Sequence, residues 1–589
     1  MKKTIPFYKQ QLGEYQQKVK DSNASISKLS ILRLLVFLTT VFGVYFFFNE
    51  WIIALSIGVI GIAVFLFLLI KYTNAKRQQA LFKMLVDINT EEIKIADGEF
   101  YHRDAGTQFQ DSLHYYSLDI DLFGEGSFFQ FLNRTSIYEG TLKLANVLKA
   151  NHIEDITSRQ EAIKELADKP KWRQYFQATA SLIKTEKSTK EIIRWLQQYK
   201  AFVPKAISWI GLTFSSLSIV LFTLTLFNIV SSSYLLFWLF LGLGITGAYL
   251  KKINKLSTNV DAIKYTFRQY AQLLNQIENE QFTSKLLKKQ QENIQLEKKK
   301  ASFIVTKFYK MLDAFDNRNN IIFNILGNGF FLIDLKNTSK IEQWIKQYNI
   351  TVENWFETVA FFDAYNSLGN YTYNHSSYVF PEIIANNEIL NSENLGHPLL
   401  SEEKRVDNTI FIDRNQFFII TGANMAGKST FLRAVSLNIV MANIGLPVCA
   451  TSCRYNPVKL ITSMRADDSL NEESSYFFSE LKRLKFIVDE IKNGEYFIIL
   501  DEILKGTNST DKSIGSRKFV EKLVKLKAIG IIATHDLNLC ELEETFSEIR
   551  NHYFDAEIID NELHFDYTFK KGICQNMNAN FLLKKMEII

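Results

Sequence analysis

The residues with the plainest chemical purpose lie between 417 and 430. Phe417–Thr421, FFIIT, reads as a buried strand. It runs straight into Gly422-Ala423-Asn424-Met425-Ala426-Gly427-Lys428-Ser429, and Thr430-Phe-Leu-Arg then opens a helix. A glycine-bearing loop in that position turns backbone N–H groups toward phosphate oxygens, and the helix N-terminus adds positive potential. Lys428 would bring a point charge to the β- and γ-phosphates, and Ser429 a hydroxyl to Mg²⁺.

A second run, Tyr496-Phe-Ile-Ile-Leu500-Asp501-Glu502, is a strand that ends in adjacent carboxylates. That pattern predicts Asp501 as a Mg²⁺ holder and Glu502 as the general base that polarises an attacking water. A third strand, Ile529-Gly-Ile-Ile-Ala533, leads to Thr534-His535-Asp536 and places a histidine where a γ-phosphate sensor would sit. Asp468-Ser469 to Ser474-Ser475, five residues before Glu480, precedes a helix. A serine there serves either as a phosphate ligand or as an ordinary N-cap. The cofactors predicted are ATP and Mg²⁺.

These motifs need a parallel α/β frame, and from about residue 410 short β-rich runs alternate with helical ones. Upstream the pattern is helical, with an irregular stretch near 98–125. Residues 253–330 read as a long charged helical region. Its lysine run, QFTSKLLKKQQENIQLEKKK, reads first as the solvated face of a long helix and second as a nucleic-acid patch. A net charge of +5 over 589 residues gives no bulk basic character, so any nucleic-acid contact must be local. The four cysteines are too few and scattered for a disulfide framework, which fits a reducing cytosol. Cys449 and Cys453 have no second Cys/His pair at zinc spacing, so no metal centre is expected there.

Apolar residues concentrate in two places. Leu34–Phe48 and Trp51–Ile70 flank the polar pair Asn49-Glu50, and Arg33 can snorkel to an interface. Ala206–Leu250 carries no charge and has a natural turn at NIVSSS, residues 228–233, between halves of about 20 residues. Both read as membrane hairpins. Lysines and arginines flank the outer ends of each pair and are missing from the turns, so both ends of both hairpins are predicted to be cytoplasmic.

Taken together, these residues resemble the MutS family of ABC-type ATPases. Thr421–Thr430, TGANMAGKST, is similar to the family loop with its Asn-Met pair. Asp501–Ser509, DEILKGTNS, resembles the family's second motif, except that Leu504 replaces the usual glycine and Lys512 stands where another glycine often follows Asp511. The resemblance implies that Ser475 is the signature serine reaching a partner subunit's ATP. It implies that Leu395–Leu400 and Arg405–Asn408 flank the adenine, which adds Val406 and Asn408 to the site. The C-terminal YTFKKGICQNMNANFLLKKMEI is similar to the family's closing, dimerising helices. Leu122-Phe-Gly124, Asn133-Arg-Thr135, Gly140 and Arg159-Gln-Glu161 resemble the opening of its core and lever. No mismatch-reading domain is expected before the first hairpin, and the second hairpin lies where the family's DNA clamp would be.

The fold expected is an α/β ABC-type P-loop ATPase domain plus an all-α core and lever with two transmembrane hairpins. The boundaries expected are a cytosolic segment 1–30, hairpin 31–70, helical core and lever 71–202, hairpin 203–252, helical lever and core 253–394, and ATPase domain with dimerisation helices 395–589. The function expected is a homodimeric ATPase in the inner or plasma membrane of a bacterium, its soluble parts cytoplasmic. The resemblance adds DNA binding or repair-related processing. The rival is a mechanical ATPase acting on the bilayer or on an unknown membrane partner without DNA. A transporter motor fits less well, because four spans in separate hairpins make a poor pathway.

Overall fold

The computed structural model describes residues 2–182, 188–296, 299–465, 476–559 and 562–575. A helical N-terminal region is followed by an α/β C-terminal region. The chain opens with two very long helices, α1 (Ile5–Phe46) and α2 (Trp51–Ala96), which pair lengthwise across a turn at Phe47–Glu50. At 1.5 Å per residue each is about 63–69 Å long, roughly twice the thickness of a hydrocarbon core. The polar and apolar stretches of the sequence are therefore halves of the same helices. In the apolar half, side chains face outward, with Phe46 and Phe48 81% and 75% exposed. In the polar half, Tyr15, Leu85 and Ile88 pack against Ala178.

Several of the helices that follow pack around one strut. Among those helices are α3 (Tyr138–Lys149), α4 (Ile156–Ala167), α5 (Pro170–Ser181), α6 (Ile207–Leu226), α7 (Ser233–Gly247), α8 (Leu250–Asn279), α9 (Ala301–Asp316), α10 (Ile321–Phe331), α11 (Ile333–Tyr348) and α12 (Thr351–Asn374). The strut is α12, buried on almost every face, against which α3, α4, α5 and α8 pack. Gly369 lets Leu166 and Ala167 of α4 approach its backbone, since a Cβ there would lie 2.9 Å from the Leu166 Cβ.

A polar node ties the long helices to this strut. Glu92 of α2 is fully buried and accepts bonds from Arg134 Nε (2.5 Å), Asn370 Nδ2 (3.0 Å) and Asn374 Nδ2 (3.0 Å). Arg173 of α5 donates to Asn370 Oδ1 at 2.8 Å, and Tyr8 of α1 donates to Asn374 Oδ1 at 2.7 Å. Five separate stretches of chain thus satisfy one another's polar groups away from water, as burial requires.

Asp363 of α12 accepts from the backbone N–H groups of Ser136 and Ile137 at the start of α3, its Oδ2 lying 3.0 and 3.1 Å from them. Burial outweighs those bonds and pushes its carboxyl up to about 7. A folded-state value above the unfolded one means the protonated form favours folding. The contribution is full below the ordinary carboxylate range and is lost as pH rises through about 7. Thermal melts should therefore show wild-type stability falling relative to Asp363→Asn between pH 5 and 8. Parallel curves for the two proteins would remove the titration from Asp363.

Among the described residues three helices are long and apolar enough to cross a membrane: α1, α2 and α6. A fourth span arises if α7 and α8, bent by 67° at their junction, count as one. The second leg of the Ala206–Leu250 pair is thus shorter than expected, with α7 only 15 residues long.

The lysine-rich run departs from the expected long helix. α8 stops at Asn279, residues 285–292 form a separate short helix, and Gln295–Leu296 pairs antiparallel with Lys299–Lys300. The reason is burial. Phe282 must reach Trp172 and Phe362, and Leu287 is fully buried, so the chain turns back. Glu165 fixes the turn by accepting from the Thr283 and Ser284 backbone N–H groups.

In the C-terminal region the strands of the two larger sheets are β1 (Glu382–Ile383), β2 (Glu388–Leu395), β3 (Asn408–Asp413), β4 (Phe417–Gly422), β5 (Ser452–Tyr455), β6 (Lys459–Ser463), β7 (Tyr496–Asp501), β8 (Ile529–Ala533), β9 (Ile549–Phe554) and β10 (Lys570–Lys571). A six-stranded sheet has the order β10-β9-β4-β8-β7-β6, all parallel except β10. A four-stranded sheet, β1-β5-β2-β3, lies beside it in sequence. Continuous apolar runs suit a parallel sheet covered on both faces. Phe418 and Ile420 join one core, while Phe417 and Ile419 join the other. The helices are α13 (Lys428–Ile444), α14 (Tyr476–Asn493) and α15 (Ser509–Lys525).

The C-terminal run expected to be helical is extended over its described part. Lys570–Lys571 is a strand, and Phe569 stacks on the His552 ring at 4.4 Å and on Phe431 at 4.6 Å. Residues 576–589 lie outside the described residues.

Candidate nucleotide-binding site

Three neighbouring parallel strands, β4, β8 and β7, end at one edge of the sheet, where ligands of open α/β sheets bind. Cross-links between the strand ends hold the edge together. Thr534 N–H donates to Ile420 O, and Glu502 N–H donates to Ala533 O, each at 2.9 Å. The loop after β4 has the backbone its sequence demands. Gly427 has φ +99° and directly precedes α13, a left-handed conformation that glycine adopts without strain. Gly422 needs to be glycine for space, because a Cβ would meet the Phe554 carbonyl oxygen at 2.6 Å.

Lys428 is buried, and its ammonium donates to the carbonyls of Gly422 (2.7 Å) and Ala423 (2.9 Å). Burial lowers its pKa, opposed by the charges of Asp501 and Glu502. Ser429 donates its hydroxyl to Asp501 Oδ2 at 2.6 Å. Glu502 takes a left-handed φ of +50° just past β7, and its Oε1 lies 2.8 Å from Lys512 Nζ on α15. Burial alone would raise the Glu502 carboxyl. The hydrogen bond and charge of Lys512, with Lys505 and His535 behind it, hold it below the usual range. Burial, together with Lys428, keeps the His535 imidazole below its usual value and so neutral at pH 7.

These groups line one cavity of about 520 Å³, together with Asn424, Met425, Ala426, Gly427, Thr430, Val406 and Asn408. The carbonyls of Gly422 and Ala423 lie behind Lys428. Asn408 is committed to the fold, donating to Tyr567 O at 3.0 Å and accepting from Phe569 N–H at 2.7 Å. It contributes to the wall by holding Tyr567 there rather than by offering a free amide. Ser475, with Asp468–Ser474, lies outside the described residues.

Several residues of the site had no role from sequence. Tyr567 overlies Gly427 from 140 residues downstream, on the segment between β9 and β10, so no local spacing announces it. His397 is half-buried in the wall, and desolvation there pulls its imidazole down to about 4. Glu480 of α14 accepts from the backbone N–H groups of Leu504 (2.6 Å) and Lys505 (3.0 Å). It thereby ties the helix after Ser475 to the turn carrying Glu502. Leu504 itself sits at φ +60° with its side chain against Gly515. That is a strained position for a non-glycine residue, of the order of 1–3 kcal/mol.

The family model described as MutS domain V matches residues 418–582, which span β4 to the C-terminal strands and hold Lys428, Asp501, Glu502 and His535. Over these residues the chain is similar to domain V of the MutS family. The human protein "MutS protein homolog 4" is 33% identical over 225 residues, 36% of this chain and 23% of the relative. Two bacterial proteins named "DNA mismatch repair protein MutS" are also similar. That of Clostridioides difficile is 34% identical over 205 residues, 33% of this chain and 21% of the relative. That of Fusobacterium nucleatum is 36% identical over 184 residues, 30% of this chain and 20% of the relative. The matched part spans a quarter or less of each relative's length.

Proposed function

We propose that this chain is a membrane-anchored MutS-like ATPase that binds and hydrolyses ATP at a site completed by a second copy, and couples that cycle to DNA binding or repair-related processing. The observation that carries the reading is the meeting of Lys428, Ser429, Asp501, Glu502 and His535 at the ends of adjacent parallel strands around one cavity. Lys428 exchanges two carbonyl partners for phosphate oxygens. Backbone N–H groups of 424–429 cradle the phosphates. The Ser429–Asp501 oxygen pair suits Mg²⁺, a hard cation bound by few protein oxygens, which would supply charge neutralisation at the phosphates. Glu502, ionised and next to the site, takes the proton of the attacking water, and neutral His535 contacts the γ-phosphate. Ser475 of a second copy closes the site. Val406 and Tyr567 border the base.

Membrane anchoring rests on the outward-facing apolar halves of α1 and α2 and on α6 and α7. The cytoplasmic side is the one that holds the flanking lysines. The homodimer is part of the proposal.

DNA is the part supported by family alone, so it defines the test. Binding of duplex and branched DNA by the detergent-solubilised chain should be measurable at low salt and weaken steeply as salt rises. No binding at low salt, with hydrolysis intact, supports the second reading, an ATPase that works on the membrane. What favours that reading is the seat of the second hairpin. It lies in sequence between α5 and α8, with Glu342 of α11 accepting from the Phe202 and Val203 N–H groups at its entrance.

A further inference from the structure

Helix α10 is unexplained by the two hairpins. Residues 319–333, NNIIFNILGNGFFLI, contain no charge. Ile321 and Ile322 are 74% and 70% exposed, and Phe323, Ile325 and Leu326 are exposed as well. Eleven residues make a helix of about 16 Å, half the hydrocarbon thickness of about 30 Å.

The opposite face of α10 is built into the second hairpin. Gly329 meets Gly242 of α7 so closely that a Cβ on Gly242 would lie 2.1 Å from the Gly329 carbonyl oxygen. Small residues at such a crossing are how helices approach where no hydrophobic effect drives them together. Phe330 packs on Phe222 of α6, with ring centroids 4.7 Å apart. The end of α10 is closed by protein. Ser218 donates to the Phe330 carbonyl at 2.5 Å, Ser215 to that of Phe331 at 3.4 Å, and Trp238 Nε1 in turn donates to Ser218 Oγ at 2.7 Å. Helix-end carbonyls on the protein surface are usually left to water, whereas in lipid they must be satisfied internally.

Both flanks of α10 return to the same end of the hairpin. Arg318 donates to Asn254, just beyond α7, at 2.8 Å, and pairs with Asp334 at 3.2 Å where both are buried. Beyond α10, helix α11 runs back along α6, with Lys336 against Gly211, Ser339 3.4 Å from Ser208, and Glu342 at Phe202 and Val203.

We propose that α10 is a re-entrant membrane element that enters the cytoplasmic leaflet beside the second hairpin and leaves on the side it entered, its outer face covered by lipid acyl chains. This rests on the membrane reading of α6 and α7. Lipid is the occupant because the exposed face of α10 continues the exposed apolar faces of those helices, Leu236, Phe237 and Phe240 among them. The nearest charges, Arg318 and Asp334, neutralise each other at its base.

The test is spin-label accessibility in liposomes holding the full chain. Ile322→Cys and Leu326→Cys are labelled, with Phe237→Cys on α7 as the hairpin reference and Ile350→Cys, 75% exposed between α11 and α12, as the aqueous one. The unsubstituted chain, whose four thiols are buried, is the blank. Relaxation is read with oxygen, which partitions into lipid, and with a water-soluble nickel chelate. The expected result is an oxygen-to-nickel ratio at 322 and 326 that matches 237 and is inverted relative to 350. Nickel access at 322 and 326 with 237 in lipid overturns the re-entrant element and leaves the hairpin standing. Access to neither reagent means that protein, such as a second copy, covers the face, and this also overturns it. Nickel access at 237 removes the membrane reading itself.

Discussion

Glu502→Gln should retain ATP binding and lower steady-state hydrolysis by about 10²–10⁴-fold, the usual contribution of a positioned general base. The substitution keeps the shape of the side chain and the turn it occupies, so phosphate contacts from Lys428 and the loop persist while the proton acceptor is gone. Trapped ATP should also hold two copies together, readable as a shift to dimer in size-exclusion runs with ATP and Mg²⁺. Undiminished hydrolysis would take the role away from Glu502. The 2.8 Å contact with Lys512 adds a second expectation. In this arrangement the ammonium occupies the carboxylate that must accept a proton, and lowers its basicity. Lys512→Ala should raise basal hydrolysis several-fold, and that gain should vanish in the double variant with Glu502→Gln. A Lys512→Ala protein with reduced turnover would make the lysine a supporting group instead.

Arg134→Met should lose about 3–5 kcal/mol of stability, the cost of stranding a buried carboxylate. Glu92 and Arg134 are 3% and 5% exposed at the side chain. With the guanidinium removed, the carboxylate keeps the amides of Asn370 and Asn374 and the more distant charge of Arg103. Adding Glu92→Leu should restore part of the loss, since an apolar pair of similar volume often matches a buried ion pair. The asparagine amides left without an acceptor limit the recovery. Denaturant titration of the detergent-solubilised proteins measures both. If Arg134→Met were neutral, the node would not join α1 and α2 to the strut energetically.

How much of this was legible in the residues depends on distance along the chain. The loop at 422–430, the carboxylates after β7 and the histidine after β8 are local patterns, each a strand followed by a short chemical signature. They come together because parallel strands in register end at one edge. The outward apolar runs of α1, α2, α6 and α7 were legible for a similar reason, since length and lack of charge are local properties. What local patterns missed was decided by partners far away. The lysine run of 285–300 looks like a helix face until Phe282 and Leu287 require burial against α4, α5 and α12. The C-terminal run looks helical until Phe569 finds the rings of Phe431 and His552. Helix α10 is too short to announce a span, and only its seat on α6 and α7 gives it meaning.

The sequence alone determined the chemistry on offer: which side chains could hold phosphate, cation and water, and which segments avoid water. Only the tertiary structure decided who holds whom. Lys512 on Glu502, Glu480 on the Leu504 turn, Tyr567 over Gly427 and Glu92 within its node are all pairings of residues brought together by packing. Burial makes each polar group take a partner, and the folded chain, not the spacing of residues, sets which partner is within reach.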